Sequence, residues 1–130
     1  MWGLNNMSAP ENNRILVVDD TSYMRKMLTK ILEDNGYLVI AEAGSGVEAI
    51  AMYQEHTPDL VTMDMIMPEM DGLTAVQKII EIDAQAKVIM ISSLGQEDKI
   101  EQARKVGAIG VVTKPIDNNL LFQNIESALS

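Results

Sequence analysis

Three carboxylates, two hydroxyls and one ammonium stand where hydrophobic runs stop. Ile15-Leu16-Val17-Val18 stops at Asp19-Asp20, and Leu60-Val61-Thr62-Met63 stops at Asp64. Val88-Ile89-Met90-Ile91 stops at Ser92-Ser93, and Ile109-Gly110-Val111-Val112-Thr113 stops at Lys114-Pro115. If each run is a strand of one parallel sheet, all six groups arrive at its carboxyl edge, where ligands of open α/β sheets bind. Adjacent carboxylates such as Asp19 and Asp20 need solvent or a cation to stay charged when partly buried. Mg²⁺ suits them: it is hard, prefers oxygen and commonly takes one or two carboxylates, waters and a phosphate. Mn²⁺ can substitute. With such an ion present, a carboxylate can approach a phosphoryl donor without prohibitive repulsion. Lys114 could pair with Asp64 and hold a phosphoryl oxygen, and Ser92 could donate to another. Pro115 restricts the backbone beside Lys114, and a cis bond is expected there.

Taken singly, each group has a plainer role. An aspartate or serine at a strand end is most often a cap or turn residue. A lone lysine is most often a solvated charge. The ten methionines read as core filler. Gly44-Ser45-Gly46 reads as a turn and cap, since it lacks the third glycine of a dinucleotide fingerprint. The joint arrival at four strand ends carries the argument.

The elements that must position these groups follow from periodicity. Strands are expected at about Arg14–Val18, Tyr37–Ala41, Leu60–Met63, Lys87–Ile91 and Ile109–Thr113. Met24, Met27, Leu28, Ile31 and Leu32 recur at helical spacing in a segment from about Ser22 to Asn35. Ser45 and Glu48 form a capping box for a helix running to about Glu55 and stopped by Pro58. Further helices start at Asp71-Gly72, run from about Glu97 to Val106, and start at Asp117. Strict alternation of unbroken apolar strands with amphipathic helices predicts an α/β fold, a parallel sheet covered on both faces.

Composition narrows the function. At 130 residues and 47% apolar content the chain should fold as one globular domain, residues 14–130. Residues 1–13 read as a flexible extension without the charge and apolar pattern of a signal peptide. Met7 offers an alternative start, making Met1 to Asn6 an upstream or vector-derived segment. A net charge of −9 argues against nucleic acid and anionic membranes as ligands. The lack of cysteine fits a reducing cytoplasm.

With these residues in this order, the chain resembles the receiver domain of two-component response regulators, most closely the chemotaxis regulators of the CheY type. The carriers are Asp19-Asp20, the segment Asp64-Met65-Ile66-Met67-Pro68-Glu69-Met70-Asp71-Gly72, Ile91-Ser92-Ser93 and Lys114-Pro115. The resemblance spans about Arg14 to Leu129. It implies a flavodoxin-like, doubly wound sheet of order 2-1-3-4-5 with five helices. It further implies that Asp64 takes a phosphoryl group from a histidine kinase. Asp20, Asp64 and the backbone carbonyl of Ile66 would hold Mg²⁺, with Asp19 acting largely through water. Ser92 would be the switch hydroxyl, Lys114 the phosphate-binding lysine, and Ser93 the small residue at the entry. Two positions depart from the common pattern. Ile66 replaces a frequent polar residue, and Val111 replaces the aromatic that usually changes rotamer with Ser92.

The expected function is a phosphorylation switch, not a turnover enzyme. Its expected partners are the kinase and a downstream target such as a flagellar motor component or a phosphatase. A free-standing switch is favoured over the receiver of a longer regulator with a DNA-binding or methylesterase output. A dehalogenase-like phosphatase would need an acid two residues after its nucleophile, where Ile66 stands. A nucleotide or flavin binder on the same fold would meet three repelling acids. Apolar Ile66 and Leu94 beside the site predict slow hydrolysis of the aspartyl phosphate.

Overall fold

The computed structural model describes residues 13–93 and 97–130. The expected N-terminal extension, apart from Asn13, and Leu94 lie outside the described residues. Five strands alternate with five helices among those described. The order is β1 (Arg14–Val18), α1 (Ser22–Glu33), β2 (Leu38–Ala43), α2 (Gly46–His56), β3 (Leu60–Asp64), α3 (Gly72–Ile82), β4 (Val88–Ser92), α4 (Glu97–Val106), β5 (Gly110–Thr113) and α5 (Asn118–Leu129). All pairings are parallel and the sheet order is β2-β1-β3-β4-β5. This is the expected topology. The chain steps from β1 to β2 on one side, then returns to place β3 on the other side of β1. The carboxyl ends of β1 and β3 therefore flank the point where the winding reverses, which is where such sheets bind ligands.

The unbroken apolar strands feed two cores, because successive side chains point to opposite faces. Leu16, Val18, Val61, Met63, Val88 and Met90 pack with Ala49, Tyr53, Val76, Ile79 and Ala103 from α2, α3 and α4. Ile15, Val17, Leu60, Ile89, Ile91 and Val112 pack with Leu28, Leu32, Leu121 and Ile125 from α1 and α5. No described helix is long and apolar enough to cross a membrane.

Helix ends follow local chemistry. Thr21, Ser45, Asp71 and Asp117 each cap a helix by accepting backbone N–H groups with their side chains. Glu48 reaches back one residue further than the expected box, accepting from Gly44 N–H at 2.6 Å. Several boundaries differ from expectation by a residue or two, and three of them have a local cause. α1 stops at Glu33, because Asp34, Asn35 and the positive φ of Gly36 turn the chain. β2 runs on to Ala43 through the charged Glu42, since an edge strand needs only one covered side. α2 ends one residue beyond Glu55, and Thr57 in the left-handed region closes it ahead of Pro58. The Arg14 guanidinium serves the carbonyls at that end, donating to Thr57 O at 2.9 Å and His56 O at 2.6 Å.

Candidate functional site

The strand ends bring the predicted groups together. Asp19 N–H donates to Ala43 O across the β1–β2 pair at 3.1 Å, so the first acid extends the sheet by one residue. Its Oδ1 accepts from Thr21 N–H at 2.9 Å and from Thr21 Oγ1 at 3.2 Å, which turns the chain into α1. Asp19 is thus a turn residue as well as a site residue, and it is buried while Asp20 is exposed. Asp64 ends β3, buried, opposite Ile91 in β4. Oxygens of Asp19, Asp20 and Asp64 lie within 4.8 Å of one another.

β4 and β5 supply the remaining groups. Ser92 is fully buried, and its hydroxyl donates to Ser93 O at 3.1 Å. Lys114 N–H donates to Ser92 O at 2.7 Å, continuing the ladder past Thr113. The Lys114–Pro115 bond is cis, as expected. The Lys114 ammonium lies 3.5 Å from Asp64 Oδ1 and 3.7 Å from Asp19 Oδ2. The pairing with Asp64 was anticipated; the sharing with Asp19 was not. Ile66 is exposed just beyond Asp64, and Val111 is partly buried against the α2–α4 core.

Asp64 holds its proton more tightly than an ordinary aspartate. Burial is the largest cause, and the charges of Asp19 and Asp20 push the same way. Lys114 and a hydrogen bond from the Ile66 backbone N–H oppose them. The donors fit a hard divalent cation: all are carboxylate oxygens, two of the three acids are buried, and one ammonium pairs with only two of the three. A bound cation would offset the burial and the carboxylate repulsion that together keep Asp64 basic.

Two features of the site were not legible as such in the sequence. A Cβ at Gly72 would run into the carbonyl of Asp64, while Gly72 N–H donates to Met65 O at 2.8 Å. The glycine thus lets the start of α3 press against the backbone of the central acid, beyond its role as a helix start. Arg25 donates to the backbone carbonyl of Asp19 at 2.7 Å and pairs with Glu42. Nothing in the spacing of these charged residues marks them.

A doubly wound sheet carrying acids at its winding reversal, with hydroxyl and lysine on the next strands, defines a class of phosphoacceptor signalling module. Comparison with known proteins agrees. Residues 15–126 match the response regulator receiver domain model. The chain is 47% identical over 118 residues to the chemotaxis protein CheY of Bacillus subtilis strain 168, covering 91% of this chain and 98% of that protein. It is 44% identical over 117 residues to CheY of Halobacterium salinarum, covering 90% and 97%. A chain of the CheX-CheY-BeF3-Mg complex from Borrelia burgdorferi superposes with a TM-score of 0.88 at 36% identity, covering 97% of this chain and 94% of that one. The chain belongs to the response regulator receiver family and is a CheY-like member of it.

Proposed function

We propose that Asp64 is the phosphoacceptor of a chemotaxis-type switch, fed by a histidine kinase. The observation that carries this reading is the placement of buried Asp64 among Asp19, Asp20 and Lys114 at the winding reversal. An Asp64 carboxylate oxygen attacks the phosphorus of a phosphohistidine. The P–N bond breaks, and the imidazole leaves with its electron pair and is protonated. A divalent cation, Mg²⁺ by the family's usage and by the oxygen donors, would be held by Asp20, Asp64 and the Ile66 carbonyl, with Asp19 acting through water. When bound it supplies positive charge to the transferring phosphoryl oxygens. Lys114 then leaves its pairing with the two acids to hold a phosphoryl oxygen.

Ser92 donates to another phosphoryl oxygen once its bond to Ser93 O is given up. That movement, transmitted through β4 to α4, β5 and α5, alters the surface a target reads. Val111 offers no ring to follow Ser92, so β5 changes less than in a member with an aromatic there. The chain catalyses only its own phosphorylation and dephosphorylation, in the cytoplasm where a kinase domain would meet it. Its targets include a flagellar motor component or a phosphatase; the Borrelia CheY is found with CheX.

Intact-mass spectrometry after incubation with acetyl phosphate tests the reading. One added phosphoryl group of ~80 Da, dependent on Mg²⁺ and lost in Asp64→Asn, is the expected result. A folded protein that takes no adduct with any divalent ion overturns it.

A further inference from the structure

Arg25 touches none of the groups assigned above except through backbone. Its Nη1 donates to Asp19 O at 2.7 Å, and its Nε donates to Glu42 Oε1 at 3.2 Å. Glu42, in β2, also accepts from Thr29 Oγ1 at 3.5 Å, one helical turn along α1 from Arg25. The guanidinium thus spans two partners, a carboxylate on the edge strand and the carbonyl of the first acid. Its position leaves little room: a Cβ at Gly44 would lie 3.2 Å from Nη1. With Asp19 N–H held by Ala43 O, both backbone polar groups of Asp19 are tied down. Its side chain and that of Asp20 remain on the site side of the turn.

We propose that Arg25, aimed by Glu42, is a positioning residue for the cation-binding carboxylates of the β1–α1 turn. The inference rests on the cation reading given above. The guanidinium fork matters because it holds two partners in one plane, which a lysine cannot do. Outer partners that orient ligands typically govern metal affinity by 10- to 100-fold. The sign of the effect separates positioning from charge. Arg25 is a cation beside a cation site, so deleting it for electrostatic reasons alone would tighten ion binding. Deleting a strut would weaken it.

Mn²⁺ affinity, read from the free-ion electron paramagnetic resonance signal at fixed ionic strength, tests this in the full chain. Wild type, Arg25→Met and Arg25→Lys are compared, with thermal unfolding alongside. Arg25→Met is expected to raise the Mn²⁺ Kd roughly tenfold, with Arg25→Lys in between. A residue that only ties α1 to β2 would lower the unfolding midpoint while the folded protein bound Mn²⁺ as before. Either variant binding as tightly as wild type, or tighter, overturns the assignment. If Arg25→Met does not fold, Arg25→Lys decides, since it keeps the charge and changes only the geometry. Wild type that binds no Mn²⁺ overturns the cation reading itself and this inference with it.

Discussion

The Lys114 ammonium stands 3.5 Å from the Asp64 carboxylate, yet Asp64 holds its proton more tightly than usual. Burial outweighs the pairing, and the charge of Asp19, whose Oδ2 faces the same ammonium at 3.7 Å, adds to it. One cation serves two buried acids, with Asp20 adding a third negative charge nearby. A phosphoacceptor gains from this imbalance. On the phosphoacceptor reading, the carboxylate stays under-compensated until a divalent cation binds beside it, so cation binding would prepare the site for the anionic phosphoryl donor.

The raised affinity of folded Asp64 for its proton makes stability depend on pH. Ionising Asp64 opposes folding, since the folded chain binds the proton more tightly than the unfolded one. The penalty is absent below the ordinary aspartate value of 3.8. It grows as pH rises towards the folded value and is complete above it. Asp64→Asn should therefore be more stable than wild type at pH 7 in chelator, with the advantage shrinking towards pH ~4. Urea midpoints across that range check this. A wild type more stable than the variant at pH 7 would contradict it.

A divalent ion should reverse that order. At free Mg²⁺ of roughly one hundred times its Kd, the folded state gains about 2.7 kcal/mol. Asp64→Asn and Asp20→Asn should each gain less, because each removes a charged donor from the cluster. Unfolding with and without Mg²⁺ gives the answer. Equal gains in all three proteins would place the ion elsewhere.

Most of the site was legible because each group follows a buried strand. Ile15 to Val18 and Leu60 to Met63 are buried on both faces and, Thr62 apart, apolar, so the change to Asp19 and Asp64 marks a sheet edge. Alternate residues of these strands do enter opposite cores, as a doubly covered sheet requires. What escaped notice depends on tertiary pairing between residues with no local signature. Arg25 and Glu42 look like solvated charges until β2 is laid beside β1, with the irregular register at Ile15/Leu16. Glu42 also disguised the true end of β2. The sharing of Lys114 depends on two strands that are not neighbours, β1 and β5.

Ile66 predicts a long-lived aspartyl phosphate. The side chain is 55% exposed, two residues beyond Asp64, and offers no hydrogen bond to an attacking water. Ile66→Asn adds a donor and acceptor at a solvent-facing position without disturbing the core. The decay of phosphorylated protein should quicken by up to roughly tenfold, about the worth of one hydrogen bond in the transition state. Radiolabel loss or mass spectrometry over time measures it. Unchanged decay would remove Ile66 from the account.

Glu69 carries strain. Its φ is 68°, and Met70 N–H donates to Pro68 O at 2.7 Å, an i to i+2 bond with a left-handed central residue. A positive φ is uncommon and unfavourable for a residue with a Cβ. Asparagine tolerates this region better than glutamate. Glu69→Asn should raise stability, by less than the roughly 1–2 kcal/mol that the left-handed region costs an ordinary residue, and leave Asp64 phosphorylation intact, as chemical denaturation and the acetyl phosphate reaction would report. A destabilised variant would mean that the Glu69 carboxylate itself contributes.

Thr62 presents the opposite case, a polar group with nothing to gain from its position. It is fully buried in β3, and its hydroxyl is the buried side-chain atom without a hydrogen bond among the described residues. It shares the parity of Leu60, so it points to the α1/α5 face, among Ile15, Val17, Ile89 and Ile91. The shape of threonine suits a strand and that core; the hydroxyl does not. An unsatisfied buried hydroxyl costs roughly 1–3 kcal/mol, and valine replaces it with a methyl of similar volume. Thr62→Val should therefore stabilise the protein by about 1 kcal/mol, seen as a higher urea midpoint with an unchanged denaturant slope. The substitution lies two residues before Asp64 on the same face, so it also probes the floor of the site. If the acetyl phosphate reaction slows while stability rises, the hydroxyl has been serving Asp64 through a change that phosphorylation brings. If stability falls, Thr62 is bonded in solution and the orphan does not exist.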